Sequence, residues 1–183
     1  DHVHTINQVI EKSAEYNRPL YMAFIDYEKA FDSVEIPAVL EALRRQGICD
    51  SYVNTIANIY KDSTATLLLH KKSRKIPIQK GVRQGDTISP MLFTACLEEI
   101  FKSLDWNEKG LRINGDYLSN LRFADDIVLF SNDGDELQKM IEDLSRESAK
   151  VGLRMNMQKT KIMFSGTVDN AQCHVASRSE TRH

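Results

Sequence analysis

The stretch RFADDIVLF, Arg122 to Phe130, limits more than any other how this chain can fold. Phe123-Ala124 and Ile127 to Phe130 are residue types favoured in buried strands, yet two adjacent acids stand between them. A buried, unpaired carboxylate is costly and shifts its pKa until it neutralises. Asp125 and Asp126 must therefore sit at a turn, meet cations, or both. A β-turn alone accounts for an Asp-Asp pair, so the rest of the chain has to decide whether the pair is only a turn.

Periodicity predicts the surrounding elements. Val3, Ile6, Ile10 and Ala14 recur at helical spacing, in a helix that ends before Pro19. LYMAFID reads as a buried strand with Asp26 at its carboxyl end. Ile36, Val39, Leu40 and Leu43 mark a helix that Pro37 opens and Gly47 stops. A further helix covers Tyr52 to Tyr60, and strands are expected in TATLLLH and around Lys75 to Gln79. GVRQGDTISP reads as a loop with Ser89 as N-cap and Pro90 as the first residue of a central helix, MLFTACLEEIFKSL. LRINGDYLSNLRF reads as two strands around Asn114-Gly115. A helix from about Asp135 to Val151 ends at Gly152, and KTKIMFS is a last strand. Grouped strands separated by helices predict an α+β domain, a mainly antiparallel sheet with helices covering one face.

Bulk properties narrow the class. At 183 residues the chain suffices for one domain with a sizeable core. No run approaches the roughly 18 apolar residues of a membrane span, and DHVHTINQVI lacks the order of a signal peptide. An intracellular protein, in the nucleus or cytoplasm, is expected. Cys49, Cys96 and Cys173 are far apart and odd in number, which predicts reduced thiols and neither zinc site nor disulfide framework. The net charge of -2 hides an uneven balance. Lys71, Lys72, Arg74, Lys75, Lys80 and Arg83 gather without an acid between them. That cluster is either a solvated hairpin or a ridge facing phosphates, since clustered cations release counterions from a polyanion.

Four stretches, taken in order, resemble the palm of reverse transcriptases, above all those of non-long-terminal-repeat (LINE-type) retrotransposons. FIDYEKAFDSV is similar to that family's first catalytic motif, GVRQGDTISPMLF to its Gln-Gly loop and helix, FADD to its metal-binding hairpin, and GLRMNMQKTKIMF to the motif that follows. The resemblance spans roughly Leu20 to Ser165 and implies a palm at 20–166, an N-terminal helix at 1–19 leading into it, and a poorly ordered tail at 167–183.

Nucleotide addition is an in-line displacement at phosphorus assisted by two divalent metals about 4 Å apart. Magnesium takes hard oxygen ligands, commonly one or two carboxylates with substrate phosphates. The resemblance implies that Asp26, Asp125 and Asp126 converge on two Mg2+ ions, with Mn2+ as a substitute, Asp26 and Asp125 being the main ligands. Asp32 and Asp86 compete by residue type. Asp32 reads better as a helix cap and Asp86 as a shaper of its loop. The resemblance further implies that Phe31 excludes a ribose 2′-hydroxyl, with core packing as the alternative. It places Gln84 and Gly85 near the incoming nucleotide. Lys159, or Lys161 beside it, would stand near the triphosphate, and Lys71, Lys72, Arg74, Lys75 and Arg83 would lie along nucleic acid.

The implied activity is RNA-directed DNA polymerase, with an RNA template, a DNA primer and deoxynucleoside triphosphates as partners within a ribonucleoprotein. A complete enzyme of this kind has fingers before the palm and a thumb after it. Both are expected to be largely missing from these 183 residues and to belong to a longer polyprotein, so that the chain alone extends a primer poorly. Two other functions fit the same residues: a repurposed palm that binds nucleic acid or protein without catalysis, and another palm-type enzyme such as an RNA-dependent RNA polymerase or nucleotide cyclase. Phe31 and Gln84-Gly85 argue against the latter.

Overall fold

The computed structural model describes residues 2–61, 63–65, 76–78 and 80–166. In chain order the elements are α1 (His2–Glu15), β1 (Leu20–Ile25), α2 (Ala30–Ser33), α3 (Ile36–Arg45), α4 (Asp50–Lys61), β2 (Thr64–Ala65), β3 (Ile76–Pro77), α5 (Ser89–Ser103), β4 (Leu111–Ile113), β5 (Asp116–Leu118), β6 (Asn120–Phe123), β7 (Asp126–Ser131), α6 (Gly134–Ala149) and β8 (Lys161–Ser165). The expected α+β architecture is present. The expected tail at 167–183 lies outside the described residues, as do most of TATLLLH and Cys173. Cys49 and Cys96 are free, the first exposed and the second buried.

A four-stranded sheet, in the order β6-β7-β1-β8, forms the centre, and every pairing in it is antiparallel. Alternation assigns its faces. Ala23 and Ile25 of β1 and Ile127 and Leu129 of β7 join one large core with Leu92, Phe93, Cys96 and Leu97 of α5 and Leu137, Met140, Ile141 and Leu144 of α6. The even-numbered Leu20, Met22, Val128 and Phe130 belong to a smaller cluster, packed by Ile6, Val9 and Ile10 of α1 and by Leu111 and Leu118 of the β4–β5 hairpin. Central α5 is apolar over much of its circumference because it meets α3 on one side and α6 on the other.

Three expectations need correction. LRINGDYLSNLRF holds three strands: β4 and β5 form their own two-stranded sheet around Asn114-Gly115, and a break at Ser119 lets β6 join the central one. Ser89 does not cap α5. Ile88 holds that position, Ser89 is the first helical residue, and its hydroxyl is buried without a hydrogen-bond partner. Asp86 accepts from the loop instead, its carboxylate from Ile88 N at 3.2 Å and its carbonyl from Ser89 N at 3.3 Å. Asp32 caps no helix either. It lies inside α2, a short helix absent from the periodic pattern and entered through Lys29 at φ 46° with no side-chain cap.

Candidate active site

β1 and β7 lie side by side, with Ile25 paired to Ile127. Asp26 and Asp126 each stand one residue beyond that last pair, at the end of the sheet that the β6–β7 turn closes. Phe123 and Asp126 make the last pair of that hairpin, leaving Ala124 and Asp125 as a two-residue turn. Ala124 has φ 54°, a backbone state that costs a non-glycine residue on the order of 1 to 3 kcal/mol and is found where a turn must be tight. Asp125 thus sits in the turn and Asp126 opens β7, and the pair stands near a third acid. Asp125 is half-buried and Asp126 exposed. Arg122 fastens the hairpin to α5 through Glu98, at 2.8 Å, and lies over the Phe101 ring.

The three acids share one end of the sheet, but their side chains do not form a three-ligand cage. Among the described residues no group of three or more His, Cys, Asp or Glu is placed to hold a metal ion. Asp26 turns Oδ2 toward the Lys159 ammonium, 3.7 Å away. That oxygen is shielded from solvent and accepts no hydrogen bond, so it keeps free acceptor capacity. Lys159 is the lysine that reaches Asp26. Lys161 sits in β8 opposite Phe24 and is exposed.

Main-chain bonds fix the backbone around Asp26. Its carbonyl accepts from Asn156 N at 2.7 Å, Glu28 N donates to Arg154 O at 2.8 Å, and Asp26 N reaches the Thr160 hydroxyl at 3.4 Å. Tyr27 bridges to Met155, and its buried hydroxyl shares a 2.7 Å hydrogen bond with Ser148 of α6. Burial pushes the Tyr27 phenol up to about 12, although the Ser148 bond works the other way. Burial likewise raises the Cys96 thiol to about 11.

The Gln-Gly loop packs against α2. Val82 N donates to Phe31 O at 2.7 Å and Gly81 N to Val34 O at 2.8 Å. A Cβ on Gly81 would stand 2.7 Å from the Asp32 backbone, so glycine is what allows this approach. Gly85 differs, because φ is 86° there but a Cβ would meet nothing within 4 Å. Gln84 donates from Nε2 to Asp32 Oδ1 at 3.0 Å, which is the role Asp32 has in place of capping. Phe31 is half-buried and stacks on Phe93, with ring centroids 4.9 Å apart.

Lys71, Lys72, Arg74 and Lys75 lie outside the described residues. The short β2–β3 ladder on either side of them pairs Thr64 with Pro77 and Ala65 with Ile76. Lys80 pairs with Glu35 at 2.9 Å. Arg83 donates to Ser63 Oγ at 2.8 Å and Ile59 O at 3.2 Å, above the Tyr60 ring, so its guanidinium ties the loop to the end of α4. Gly81 and Tyr27 are site residues that sequence reasoning did not single out, because they look like ordinary loop and core positions. Asn156 is the Asn of the GLRMNMQKTKIMF motif, to which the sequence attached no role, although Asn commonly bonds the backbone two residues ahead.

Residues 2–180 match the family model described as reverse transcriptase (RNA-dependent DNA polymerase). The chain is 34% identical over 155 residues to the Pol polyprotein of the retrotransposable element R2 of Nasonia vitripennis, covering 84% of this chain and 15% of that protein. To the R2DM polyprotein of Drosophila melanogaster it is 29% identical over 160 residues, 87% of this chain and again 15% of the relative. Among solved structures, telomerase from Candida tropicalis in complex with a fragment of telomeric RNA superposes with a TM-score of 0.64 at 18% identity, over 90% of this chain and 29% of that one. That likeness speaks to the fold, and the motifs and R2 relatives speak to the lineage. Residues placed at the ends of β1 and β7 and in the loops after α4 and α6 therefore stand in a chain that belongs to the reverse transcriptase family, as a reverse transcriptase domain of the non-long-terminal-repeat retrotransposon type.

Proposed function

We propose that the domain carries the polymerising site of an RNA-directed DNA polymerase, with Asp26, Asp125 and Asp126 as the acids that hold two magnesium ions. The observation that supports this most is the β1–β7 register, which sets Asp26 beside the end of the FADD hairpin although 99 positions separate Asp26 from Asp125. The residues fit the metal: carboxylate oxygens are the hard donors magnesium prefers, and Asp26 Oδ2 is a shielded oxygen with no hydrogen bond to give up. When bound, the two ions, or manganese in their place, supply the charge that steadies the attacking and leaving oxygens of an in-line displacement.

The chain's own residues do the rest by position. Lys159, already at Asp26, would offset charge gathering on the leaving pyrophosphate. Gln84 and Gly85 would border the incoming deoxynucleoside triphosphate, with the open space beside Gly85 letting a ligand approach the backbone. The Phe31 ring, held by Phe93, would meet the 2′-hydroxyl of a ribose. Lys71, Lys72, Arg74, Lys75 and Arg83 would face phosphates of an RNA template and a DNA primer. The telomerase that shares the fold was solved with RNA, which agrees with a nucleic-acid partner. Among the described residues no helix is long and apolar enough to cross a membrane.

The test is extension of a DNA primer on an RNA template in magnesium, by this chain and by the same residues joined to the flanking segments of an R2 relative. Each is run beside its Asp125→Ala variant. Positioning is worth roughly 7 to 11 kcal/mol in such reactions and an error of about 1 Å costs about a hundredfold, so the joined protein is expected to be much faster. An inactive joined protein, or one indifferent to Asp125→Ala, would sink the reading.

A further inference from the structure

We infer that Asn156 is a positioning residue: its side-chain carbonyl builds the turn that delivers Lys159 to Asp26. The inference rests on the polymerising role proposed for those two residues, but its geometry is independent of it. Asn156 makes two kinds of bond. Through its backbone N it donates to Asp26 O at 2.7 Å, which ties it to the acid. Through Oδ1 it accepts from Gln158 N at 3.1 Å and Lys159 N at 3.2 Å, while its own carbonyl takes Thr160 N at 2.8 Å and shares Lys159 N, also at 3.2 Å. One residue therefore fixes both the main chain of the acid and the main chain that carries the lysine.

The ion pair cannot do this by itself. The Lys159 side chain is 71% exposed and 3.7 Å from Asp26, and exposed pairs of that kind contribute little and are screened by salt. A lysine stem is also flexible, with several torsions between backbone and ammonium. Where the ammonium dwells is then governed by where the Lys159 Cα is held, and the Asn156 side-chain oxygen holds the turn before it through Gln158 N and shares Lys159 N with the main-chain carbonyl. Asn suits this position because its side-chain oxygen can accept main-chain N–H groups of the next two or three residues. The Asn156 N bond to Asp26 involves no side-chain atom, so a truncation at Asn156 should loosen the turn before Lys159 and leave the end of β1 in place.

The first arm measures amide hydrogen exchange in the chain without nucleotide. Asn156→Ala is expected to speed exchange at Gln158 about fivefold or more, the loss of an ordinary hydrogen bond, and at Lys159 by a smaller factor because its N–H keeps the Asn156 carbonyl, with β7 and α6 unchanged. Asn156→Asp, which keeps the acceptor, is expected to restore protection. Unchanged exchange in Asn156→Ala, or a rise spread through β1, β7 and α6, would overturn the inference, the second because the residue would then support the fold at large. The other arm measures affinity for a deoxynucleoside triphosphate with magnesium. Asn156→Ala and Lys159→Ala should weaken it by similar factors, and the double variant by no more than Lys159→Ala alone. Independent, multiplying losses would overturn the inference. If the wild-type chain binds no triphosphate, the polymerase reading fails for this chain, and the exchange arm still decides whether Asn156 places Lys159.

Discussion

On one face of the central sheet, Ala23, Ile25, Ile127 and Leu129 lie beneath α5 and α6 and are almost fully buried. On the other, Met22 and Phe130 are covered by α1 and the β4–β5 hairpin, but cover thins along the strands to half-buried Phe24 and then to Asp26 and Asp126. Both faces belong to the same strands, with the same backbone ladder. The difference is that helices α5 and α6 seal β1 and β7 on the first face, whereas on the second the cover lies at the end away from the acids. Stability should therefore concentrate on the first face and chemistry at the open end of the second, because carboxylates that must meet a charged substrate cannot be sealed under apolar side chains.

The largest expected effect separates the two functions outright. Asp26→Asn should lower polymerisation in the joined protein on the order of a thousandfold, while urea unfolding shifts by no more than about 0.5 kcal/mol, since the Lys159 ammonium it faces is exposed and 3.7 Å away. Substantial unfolding instead would mean that the open end also supports the fold.

Next in size, Leu129→Ala on the covered face should cost about 2 to 5 kcal/mol by leaving a cavity. Phe24→Ala on the open face should cost only about 1 to 2 kcal/mol, because the ring is half solvated already. Equal losses in denaturant titrations would erase the distinction between the faces.

The covered face should also respond to alkali. Burial pushes the Tyr27 phenol from its ordinary 10.0 up to about 12 in the folded chain. A folded pKa above the unfolded one gives stability that is complete below pH 10 and lost as pH rises to about 12, in total about 3 kcal/mol. Cys96, raised from 9.0 to about 11, adds a decline one unit lower. Chemical unfolding followed from pH 8 to 12 should show both, and Tyr27→Phe should flatten the upper part. An unchanged slope in that variant would mean the phenol is solvated.

The smallest effect probes the border between the faces. Phe31 packs on Phe93 of the covered side, yet precedes Asp32, which Gln84 of the loop binds. Phe31→Val should raise the ratio of ribonucleotide to deoxynucleotide incorporation about tenfold while keeping the fold. Unchanged discrimination in the joined protein would assign the ring to the core alone.

Much of this molecule was legible in its sequence. Helical spacing located α1, α3, α4, α5 and α6, and apolar runs located β1, β7 and β8, because burial on one side imposes a period that side chains must follow. FADD pointed to a turn, since two unpaired charges are costly inside a buried strand, and four ordered motifs declared the family. What periodicity does not carry was not legible. Four-residue α2 is shorter than any repeat that could betray it, and the break at Ser119 turned two expected strands into three. Asp32 looked like a cap because its type and place suited one. Only the folded loop, brought close by Gly81, offered it Gln84 instead.

The sequence by itself determined which residues could hold charge and which could not be exposed, because those are properties of side chains and their local spacing. Its motifs marked Asp26, Asp125, Asp126 and Lys159, and only a family resemblance implied that the three acids converge. Tertiary structure alone decided that β1 lies between β7 and β8, which puts Asp26 beside the FADD turn on one side and the Asn156 turn on the other. Such neighbours are 99 and 130 positions from Asp26 along the chain. No local preference spans that distance, and only the pairing of whole strands over a shared core brings them together.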